Sequence, residues 1–447
     1  MVEDITGEVL AGIQNDAFRS YAGLYVEIER DFRAAIREFG LDFAEESPDV
    51  TRGELAKRVD ALATRGAHVE NDCKSIHINW ISPACITCRK GVGTETFLAS
   101  TQCSRNCFFC FNPNQENYEY YLSHVHDLTG ELRGRFDMGV RYRDLALTGG
   151  EPLLHIDESI DFFELAAELF PNAYTRLYTS GTNLDASVRD RLIGAGLDEI
   201  RFSVKLDEPP ASVSATLNRI ALCSGYIPQV MVEMPVMPNQ VSQMKELLVR
   251  LDELGIQGIN LLELCFPLHN ADEFARRGYR LKARPYRVLY DYFYAGGLPV
   301  DGSEDACIEL LEFALDKGLS MGVHYCSLEN KFSGQVYQQN TYIQAAQPWQ
   351  VKSERDYFLK SAKVFGPDIA LVQALLNSVG ETRVYRNRER NYLEFPLEDL
   401  RVLAASMPML EVAVSISIAE QREEGPIMRE LALQKTTPAT FDYVRDL

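Results

Sequence analysis

The sequence lacks several features that mark particular classes of protein. No apolar run approaches the roughly 20 residues needed to cross a bilayer. The chain does not open on a basic segment followed by an apolar core, so no secretory signal is expected. Basic residues are also in deficit, because 45 Lys and Arg stand against 65 Asp and Glu, for a net charge of −20. This balance disfavours binding to nucleic acids and to anionic membranes, both of which depend on positive charge.

Cysteines are absent from residues 327–447, although ten occur before that point. Without a secretory signal, ten cysteines favour metal ligation in a reducing cytoplasm over a disulfide framework. The composition is otherwise that of an ordinary globular protein, and 447 residues predict two or three domains.

The most informative stretch is a loop with three cysteines, Cys103-Ser-Arg-Asn-Cys107-Phe-Phe-Cys110, which follows an apolar run at 96–100. Soft thiolates select iron–sulfur clusters, zinc or copper(I). Three ligands from one loop can hold three irons of a cubane cluster and leave the fourth iron open for a substrate or cofactor. Structural zinc fits less well, because it takes a closed set of four ligands.

This C-x3-C-x2-C loop, with Phe109 before its last cysteine, resembles the signature of the radical S-adenosylmethionine (SAM) family. Gly149-Gly150-Glu151-Pro152 resembles the GGEP motif of the same family, and both motifs come just after predicted strands. The resemblance implies that Cys103, Cys107 and Cys110 ligate a [4Fe–4S] cluster whose open iron binds SAM. It also implies that one electron, from a donor such as flavodoxin or ferredoxin, cleaves SAM to a 5′-deoxyadenosyl radical that abstracts hydrogen from a substrate.

The same resemblance implies which residues bind SAM. Gly149 and Gly150 would let the backbone approach the methionyl group closely, and their carbonyls together with Glu151 would accept hydrogen bonds from its ammonium. Phe109 would pack near the adenine. The ends of later strands would add polar contacts to SAM, from Thr179, Ser180, Ser203, Lys205 and Glu233.

Other cysteines predict a second metal site. Cys85-x2-Cys88 has a spacing common to zinc and iron–sulfur loops, and Cys326 ends a predicted strand. We therefore expect an auxiliary iron–sulfur cluster held by Cys85, Cys88 and Cys326, with Cys73 as the candidate for a fourth ligand. The alternative is that Cys85 and Cys88 bind zinc or nothing, and that Cys326 is a small buried hydrophobe.

Strands alternate with helices from residue 93 to about 326, which predicts parallel pairing through right-handed crossovers. The predicted strands are Thr94–Ser100, Asp144–Thr148, Thr175–Thr179, Glu199–Lys205, Gln229–Met234, Gly258–Cys265 and Met321–Cys326. This rhythm favours an α/β fold with a complete or partial (β/α) barrel. In barrels the chemistry gathers at the C-terminal ends of the strands, where both motifs fall.

The chain divides into three predicted regions. Residues 1–72 form a helical N-terminal extension, and residues 73–334 form the barrel, including a cysteine-bearing loop at 73–92. Residues 335–447 form a small α+β domain. Its predicted helices are Asp356–Phe365 and Asp368–Ser378, and its predicted strands are Thr382–Phe395 and Leu410–Ile418.

The leading functional prediction is a cytoplasmic radical SAM enzyme, with a peptide or protein as one candidate substrate. The terminal domains and the expected auxiliary cluster resemble maturases that modify ribosomal peptides, but the cysteine-rich C-terminal extension of those enzymes is missing here. The alternatives are a small-metabolite mutase, dehydrogenase or methyltransferase, a glycyl-radical activase, and a non-catalytic metal-binding protein. The sequence has no D-x-H-x-x-G motif, which disfavours cobalamin-dependent methyl transfer.

Overall fold

The computed structural model describes residues 2–45, 50–288 and 297–447. These residues form two compact units. The barrel unit comprises 41–45, 50–285 and 297–334, and the terminal unit comprises 2–40, 286–288 and 335–447. Across the described ranges, no helix combines the length and the apolar character that a membrane span requires.

The strands are β1 (Glu3–Asp4), β2 (His68–Glu70), β3 (Ser75–Ile78), β4 (Thr94–Leu98), β5 (Asp144–Thr148), β6 (Tyr174–Thr179), β7 (Glu199–Phe202), β8 (Gln229–Val236), β9 (Gly258–Glu263), β10 (Cys265–Phe266), β11 (Leu298–Pro299), β12 (Gly322–Cys326), β13 (Val351–Lys352), β14 (Leu359–Phe365), β15 (Tyr385–Asn387), β16 (Tyr392–Phe395), β17 (Val412–Arg422) and β18 (Gly425–Thr436).

The α-helices are α1 (Gly7–Gly12), α2 (Asp16–Arg37), α3 (Val50–Thr64), α4 (Pro83–Cys88), α5 (Tyr118–Tyr121), α6 (Leu128–Asp137), α7 (Ile156–Leu169), α8 (Ala186–Gly194), α9 (Pro210–Cys223), α10 (Val241–Glu253), α11 (Ala271–Arg276), α12 (Ser303–Lys317), α13 (Asn330–Tyr342), α14 (Ile369–Ser378) and α15 (Leu400–Ser406).

The barrel unit is built on a nine-stranded sheet in the order β2-β3-β12-β9-β8-β7-β6-β5-β4. The seven strands from β12 to β4 are parallel to their neighbours, whereas β3 is antiparallel to β12 and β2 is antiparallel to β3. The sheet ends at β2 on one side and at β4 on the other, so it forms an incomplete barrel. The predicted α/β fold with a partial barrel is confirmed.

Side chains on the strands of this sheet alternate between two buried faces. One face is apolar and shares a single hydrophobic core with the helices, through residues such as Leu145, Leu177, Ile200, Val232 and Ile259. The opposite face is polar, with Arg176, Glu199, Arg201, Asn260 and His324 also buried. Because buried charges must be paired or hydrogen-bonded, the polar face has to satisfy its own groups.

The terminal unit is an antiparallel sheet in the order β1-β18-β17-β14-β16-β15, with β13 paired to β14. Its C-terminal helices pack on one hydrophobic core, which includes Val364, Val372 and Leu403. Helix α2 packs on a second core, where Phe18 stacks on Phe365 with ring centroids 4.9 Å apart. Successive residues Val364 and Phe365 thus serve different cores, as strand alternation requires.

The structure divides the chain differently from the predicted regions in two places. The expected extension at 1–72 is divided, because residues 2–40 belong to the terminal unit whereas α3 and β2 belong to the barrel unit. The expected loop at 73–92 contains strand β3 and helix α4. Segments of four and six residues are too short to establish a periodic apolar pattern.

The predicted helix Asp356–Phe365 is wrong, because Leu359–Phe365 is strand β14. This strand lies between β16 and β17, and all seven of its residues are buried. Lys360, Ser361 and Lys363 interrupt its apolar residues, so the sequence shows no alternation of period two. The predicted helix Asp368–Ser378 agrees with α14.

Candidate functional site

The two motifs lie side by side at the C-terminal edge of the barrel sheet. The cysteine loop follows β4, and Gly149-Gly150-Glu151-Pro152 follows β5, its parallel neighbour. Two backbone hydrogen bonds join them: Gly150 N donates to Ser100 O at 2.8 Å, and Glu151 N donates to Gln102 O at 2.7 Å. The stem of the cysteine loop is therefore fixed directly against the glycine turn.

This contact leaves no room for a side chain on either glycine. A Cβ atom on Gly150 would lie 2.0 Å from Gln102 O, and one on Gly149 would lie 2.7 Å from Ser100 O. The Gly149 carbonyl also accepts a hydrogen bond from Asn112 Nδ2 at 3.1 Å. The glycines thus let two backbone segments touch.

We expect Gly150→Ala to destabilise the protein by about 1–3 kcal/mol, because the new methyl group overlaps a backbone carbonyl that cannot move freely. Urea unfolding monitored by circular dichroism measures this loss. The matched control is Gly134→Ala in α6, where no atom lies within 4 Å of the added Cβ. Equal stabilities of the two variants would contradict the proposed role of the close contact.

The carboxylate of Glu151 is buried and holds the glycine turn to the end of β6. Its Oε1 accepts hydrogen bonds from Thr179 Oγ1 at 2.6 Å and from Leu153 N at 3.1 Å. Its Oε2 accepts from Ser180 N at 2.7 Å and from the Ser180 hydroxyl. Glu151 has no exposed surface, and both of its carboxylate oxygens are occupied by these hydrogen bonds. Glu151, Thr179 and Ser180, which were all expected to contact SAM, bind one another here, and their contact with SAM stays a prediction.

The cysteine loop is also tethered through residues that the sequence did not single out. Arg105, between the first two cysteines, forms an ion pair with Glu208 and donates to Thr216 Oγ1 at 3.0 Å. Ser104 Oγ lies 2.9 Å from Thr182 Oγ1. The only sequence signal for this tether was an arginine between two cysteines of the loop. Its partners, Glu208 and Thr216, lie far from it in the sequence.

The three thiols of the loop lie close enough to influence one another. Burial raises the pKa of Cys103, and Glu151, Cys107 and Cys110 raise it further. Burial also raises the pKa of Cys110, and Cys107 adds to that effect. One sulfur, Cys103 Sγ, accepts a backbone hydrogen bond from Arg105 N at 3.4 Å.

As they stand, no three His, Cys, Asp or Glu side chains of the described residues are arranged to hold a metal ion. Backbone contacts fix the stem of the cysteine loop, but the three thiols of the loop are not bonded to one another. Metal sites are commonly completed only when the metal binds.

Two further predicted residues meet beside the loop. Lys205 Nζ lies 4.5 Å from the centroid of the Phe109 ring, and Phe109 packs edge-on against Phe108 at 5.0 Å. Ser203 Oγ donates to Glu233 O at 3.3 Å. Phe109 and Lys205 are therefore held together beside the cysteine loop, and their contact with SAM stays a prediction.

A family model described as the Radical SAM superfamily matches residues 98–251, a range that begins at the end of β4 and includes both motifs. The chain contains a radical SAM domain. The resemblance that the two motifs predicted is confirmed, and the protein is an enzyme of the radical SAM type. This family implies a [4Fe–4S] cluster and SAM as cofactors.

Individual proteins share more of the chain at low identity. A Methanocaldococcus jannaschii protein, provisionally named a glycyl-radical enzyme activating enzyme, is 26% identical over 297 residues, which cover 63% of this chain and 73% of that protein. The structure of Streptococcus suis SuiB bound to the precursor peptide SuiA has 15% identity and a TM-score of 0.33, over 54% of this chain and 53% of that chain. Native anSMEcpe with bound AdoMet and a peptide has 15% identity and a TM-score of 0.36, over 52% of this chain and 62% of that chain. The matched part thus spans about half to two thirds of those structures.

The polar interior of the radical SAM barrel is organised around Arg201. Its guanidinium pairs with Glu199 Oε1 at 2.5 Å and with Glu233 Oε2 at 2.6 Å, and it donates to Ser82 Oγ at 3.0 Å. Burial favours the neutral form of Glu233, but Arg201, Lys331 and hydrogen bonds hold its pKa below the ordinary value. The carboxylate of Glu233 is thus engaged inside the barrel by Arg201 and Asn260, and its expected role as a SAM contact stays a prediction.

Three of the remaining cysteines converge on this interior. Cys85 Sγ accepts hydrogen bonds from Arg201 Nη2 at 3.4 Å and from Asn260 Nδ2 at 3.3 Å. Burial raises the pKa of Cys326 to about 12, and the nearby thiols of Cys85 and Cys88 contribute to the rise. Cys326 therefore lies near enough to Cys85 and Cys88 to feel their charge, and the second metal site stays a prediction.

Cys73, the fourth candidate, lies in the turn between β2 and β3. Its backbone is left-handed, with φ of 62°, and its side chain packs against the barrel core. The first residue of β3, Ser75, pairs with Cys326 across the sheet. The turn that carries Cys73 thus leads directly into the strand beside Cys326.

A buried arginine beside Cys88 has unsatisfied donors. Arg176 is 6% exposed, yet its Nε and Nη1 atoms have no hydrogen-bond partner. Its nearest carboxylate is that of Asp144, at 3.8 Å, and its positive charge lowers the pKa of Cys88, which burial raises. Buried donors without partners are rare, so this position in the barrel is suited to an additional acceptor.

Proposed function

We propose that this radical SAM enzyme binds its [4Fe–4S] cluster through Cys103, Cys107 and Cys110. The observation that carries the proposal is the backbone contact between the cysteine loop and the glycine turn. The donor set suits the cluster, because soft sulfur ligands from one loop can serve three irons and leave one open. When bound, the cluster supplies the electron that cleaves SAM, and hydrogen is then abstracted from the substrate.

The protein's own residues hold and orient the cofactors. The backbone of Gly149 and Gly150 presents the turn to the methionyl group, and Phe109 and Lys205 at the rim provide an aromatic face and a positive charge. Ser203 adds a hydroxyl at the same edge. A one-electron donor such as flavodoxin or ferredoxin completes the reaction.

The proposal includes an auxiliary iron–sulfur cluster on Cys85, Cys88 and Cys326, with Cys73 as a further ligand. Its support is the convergence of three thiols together with the unpartnered Nε and Nη1 of Arg176. Sulfur atoms of a cluster are acceptors that could use those donors, whereas a core of neutral thiols offers only weak ones. A zinc ion on Cys85 and Cys88 is the competing assignment.

The expected result is that anaerobically reconstituted protein, reduced with dithionite in the presence of SAM, releases 5′-deoxyadenosine, and that Cys107→Ala does not. Two clusters predict about eight irons per chain, falling to about four in a Cys85→Ala/Cys88→Ala double variant. About four irons in both proteins would remove the auxiliary cluster but leave the SAM chemistry intact. No 5′-deoxyadenosine above the Cys107→Ala background would overturn the main proposal.

The proposed substrate is a peptide or protein. The M. jannaschii relative, named as an activator of a glycyl-radical enzyme, favours a protein substrate attacked at a glycine Cα–H bond. A small metabolite that undergoes rearrangement, dehydrogenation or methylation is the competing class.

A labelling experiment separates these substrates. The reduced enzyme and SAM are incubated with lysate proteins that carry α-deuterated glycine, and the recovered 5′-deoxyadenosine is examined by mass spectrometry. Deuterium from glycine supports activation of a glycyl-radical enzyme, and deuterium from proteins labelled at other residues supports peptide modification. Turnover that requires only the low-molecular-mass fraction of the lysate would contradict both.

A further inference from the structure

We propose that Asn330, Asn260 and Arg201 donate hydrogen bonds to the sulfur ligands of the auxiliary cluster and thereby raise its reduction potential. The inference rests on the proposed function, because it requires a cluster on Cys85, Cys88 and Cys326. It assigns a role to three side chains of the barrel interior that neither motif includes.

The orientation of Asn330 is fixed by its neighbours. Asn330 Nδ2 lies 3.2 Å from Cys326 Sγ. Its Oδ1 accepts a hydrogen bond from Asn71 Nδ2 at 2.6 Å, so the amide must present its N–H group to the sulfur. Asn330 is 2% exposed, and its own backbone N–H donates to Ser327 Oγ at 3.1 Å. The donor is therefore both oriented and held in place.

Asn260 is oriented in the same way. Its Nδ2 donates to Glu233 Oε2 at 2.7 Å and to Cys85 Sγ at 3.3 Å. A carboxylate accepts hydrogen bonds and does not donate them, so this side of the amide carries the hydrogens. The opposite atom, Oδ1, lies 2.9 Å from His324 Nδ1. Arg201 Nη2, which is always protonated, supplies the second donor to Cys85.

Three side-chain donors, one of them cationic, thus point at two sulfur atoms, those of the buried Cys85 and the half-buried Cys326. A neutral thiol is a weak acceptor, whereas a sulfur bound to iron carries more negative charge and accepts more strongly. Reduction adds a further negative charge to a cluster, so N–H donors stabilise the reduced form and raise its potential. At the radical SAM loop, by contrast, the donors to Cys103 and Cys110 are the backbone N–H groups of Arg105 and Asn112.

The test uses the full chain with Cys107→Ala, which removes the first cluster and leaves the auxiliary cluster as the sole EPR signal. Asn330→Asp retains an oxygen for Asn71 but replaces the N–H group that faces Cys326. We expect a lower midpoint potential in an EPR-monitored redox titration. Asn330→Ala, which removes the donor without adding charge, should shift the potential in the same direction but less.

The control is Asn79→Asp, which makes the same chemical change where Nδ2 faces backbone carbonyls, Leu319 O at 2.8 Å and Met321 O at 2.9 Å. Its potential should match that of the parent. An unchanged potential in both Asn330 variants, or loss of iron from both, would overturn the inference while leaving the auxiliary cluster in the parent. If the parent protein has no second cluster, both the inference and the auxiliary cluster are overturned. SAM cleavage by the unmodified enzyme would still stand.

Discussion

Replacing Glu151 with glutamine is expected to destabilise the protein by about 2–4 kcal/mol, because two or more charge-assisted hydrogen bonds are lost in a buried site. The amide NH2 group would face donors where the carboxylate oxygen now accepts from Ser180 N and the Ser180 hydroxyl. The glycine turn would loosen from β6, and we expect weaker SAM binding as a consequence. Urea unfolding measures the first effect, and equilibrium dialysis of SAM with the reconstituted protein measures the second.

The control for Glu151 is Glu158→Gln, on the exposed surface of α7, which should change stability by less than about 0.5 kcal/mol. A double-mutant cycle with Ser180→Ala tests whether the two residues act together, since contacting residues show coupling of about 0.5–3 kcal/mol. Additive losses would contradict the arrangement described here. Unchanged SAM affinity with lost stability would separate the structural role from any role in cofactor binding.

The second large effect is expected for Arg201→Met, which removes the charge but keeps much of the side-chain volume. Two carboxylates, those of Glu199 and Glu233, would lose their partner inside the barrel. Removing one member of a buried charge network costs about 3–5 kcal/mol, because the remaining charge is left without compensation. Chemical denaturation of the metal-free protein measures the loss without interference from the proposed second metal site.

The pH dependence of this loss follows from Glu233. In the native protein its pKa is held below the ordinary value, so its contribution is present at neutral pH and lost as the pH falls through the folded-state pKa. Arg201→Met removes one of the groups that oppose the effect of burial, so the pKa of Glu233 rises and its ionised form loses stabilisation as the pH rises. The destabilisation should therefore be larger at about pH 8 than at about pH 5. Glu199→Gln added to Arg201→Met should recover part of the stability, and a further loss would contradict the charge argument.

The sequence predicted the barrel because its strands and helices repeat in strict alternation. It could not predict β14, whose apolar residues are interrupted by Lys360, Ser361 and Lys363. These side chains are buried in the terminal unit by partners distant in the sequence, such as the carboxylate of Glu394. The pattern of neighbouring residues carries no information about such distant partners. For this reason the central strand β14 was predicted as a helix.

The sequence could predict those parts of the candidate site that lie within one short stretch of the chain. The spacing of Cys103, Cys107 and Cys110 and the four-residue glycine motif are visible in any reading of the chain. The partners of Glu151 are not, because Thr179 and Ser180 reach it only after β6 is paired with β5. The same holds for the contact of Asn260 with Cys85, because these residues lie far apart in the sequence, whereas Asn330 lies only four residues after Cys326.

The division of the terminal unit has a consequence for synthesis on the ribosome. Phe18 and Ala22 of α2 share a core with Phe365 and Leu433, so their partners emerge only after the entire barrel has been translated. The segment that becomes α2 therefore remains without its native apolar partners throughout that interval. Domains that fold in order of emergence protect such surfaces early, whereas here the first segment made is among the last to be covered.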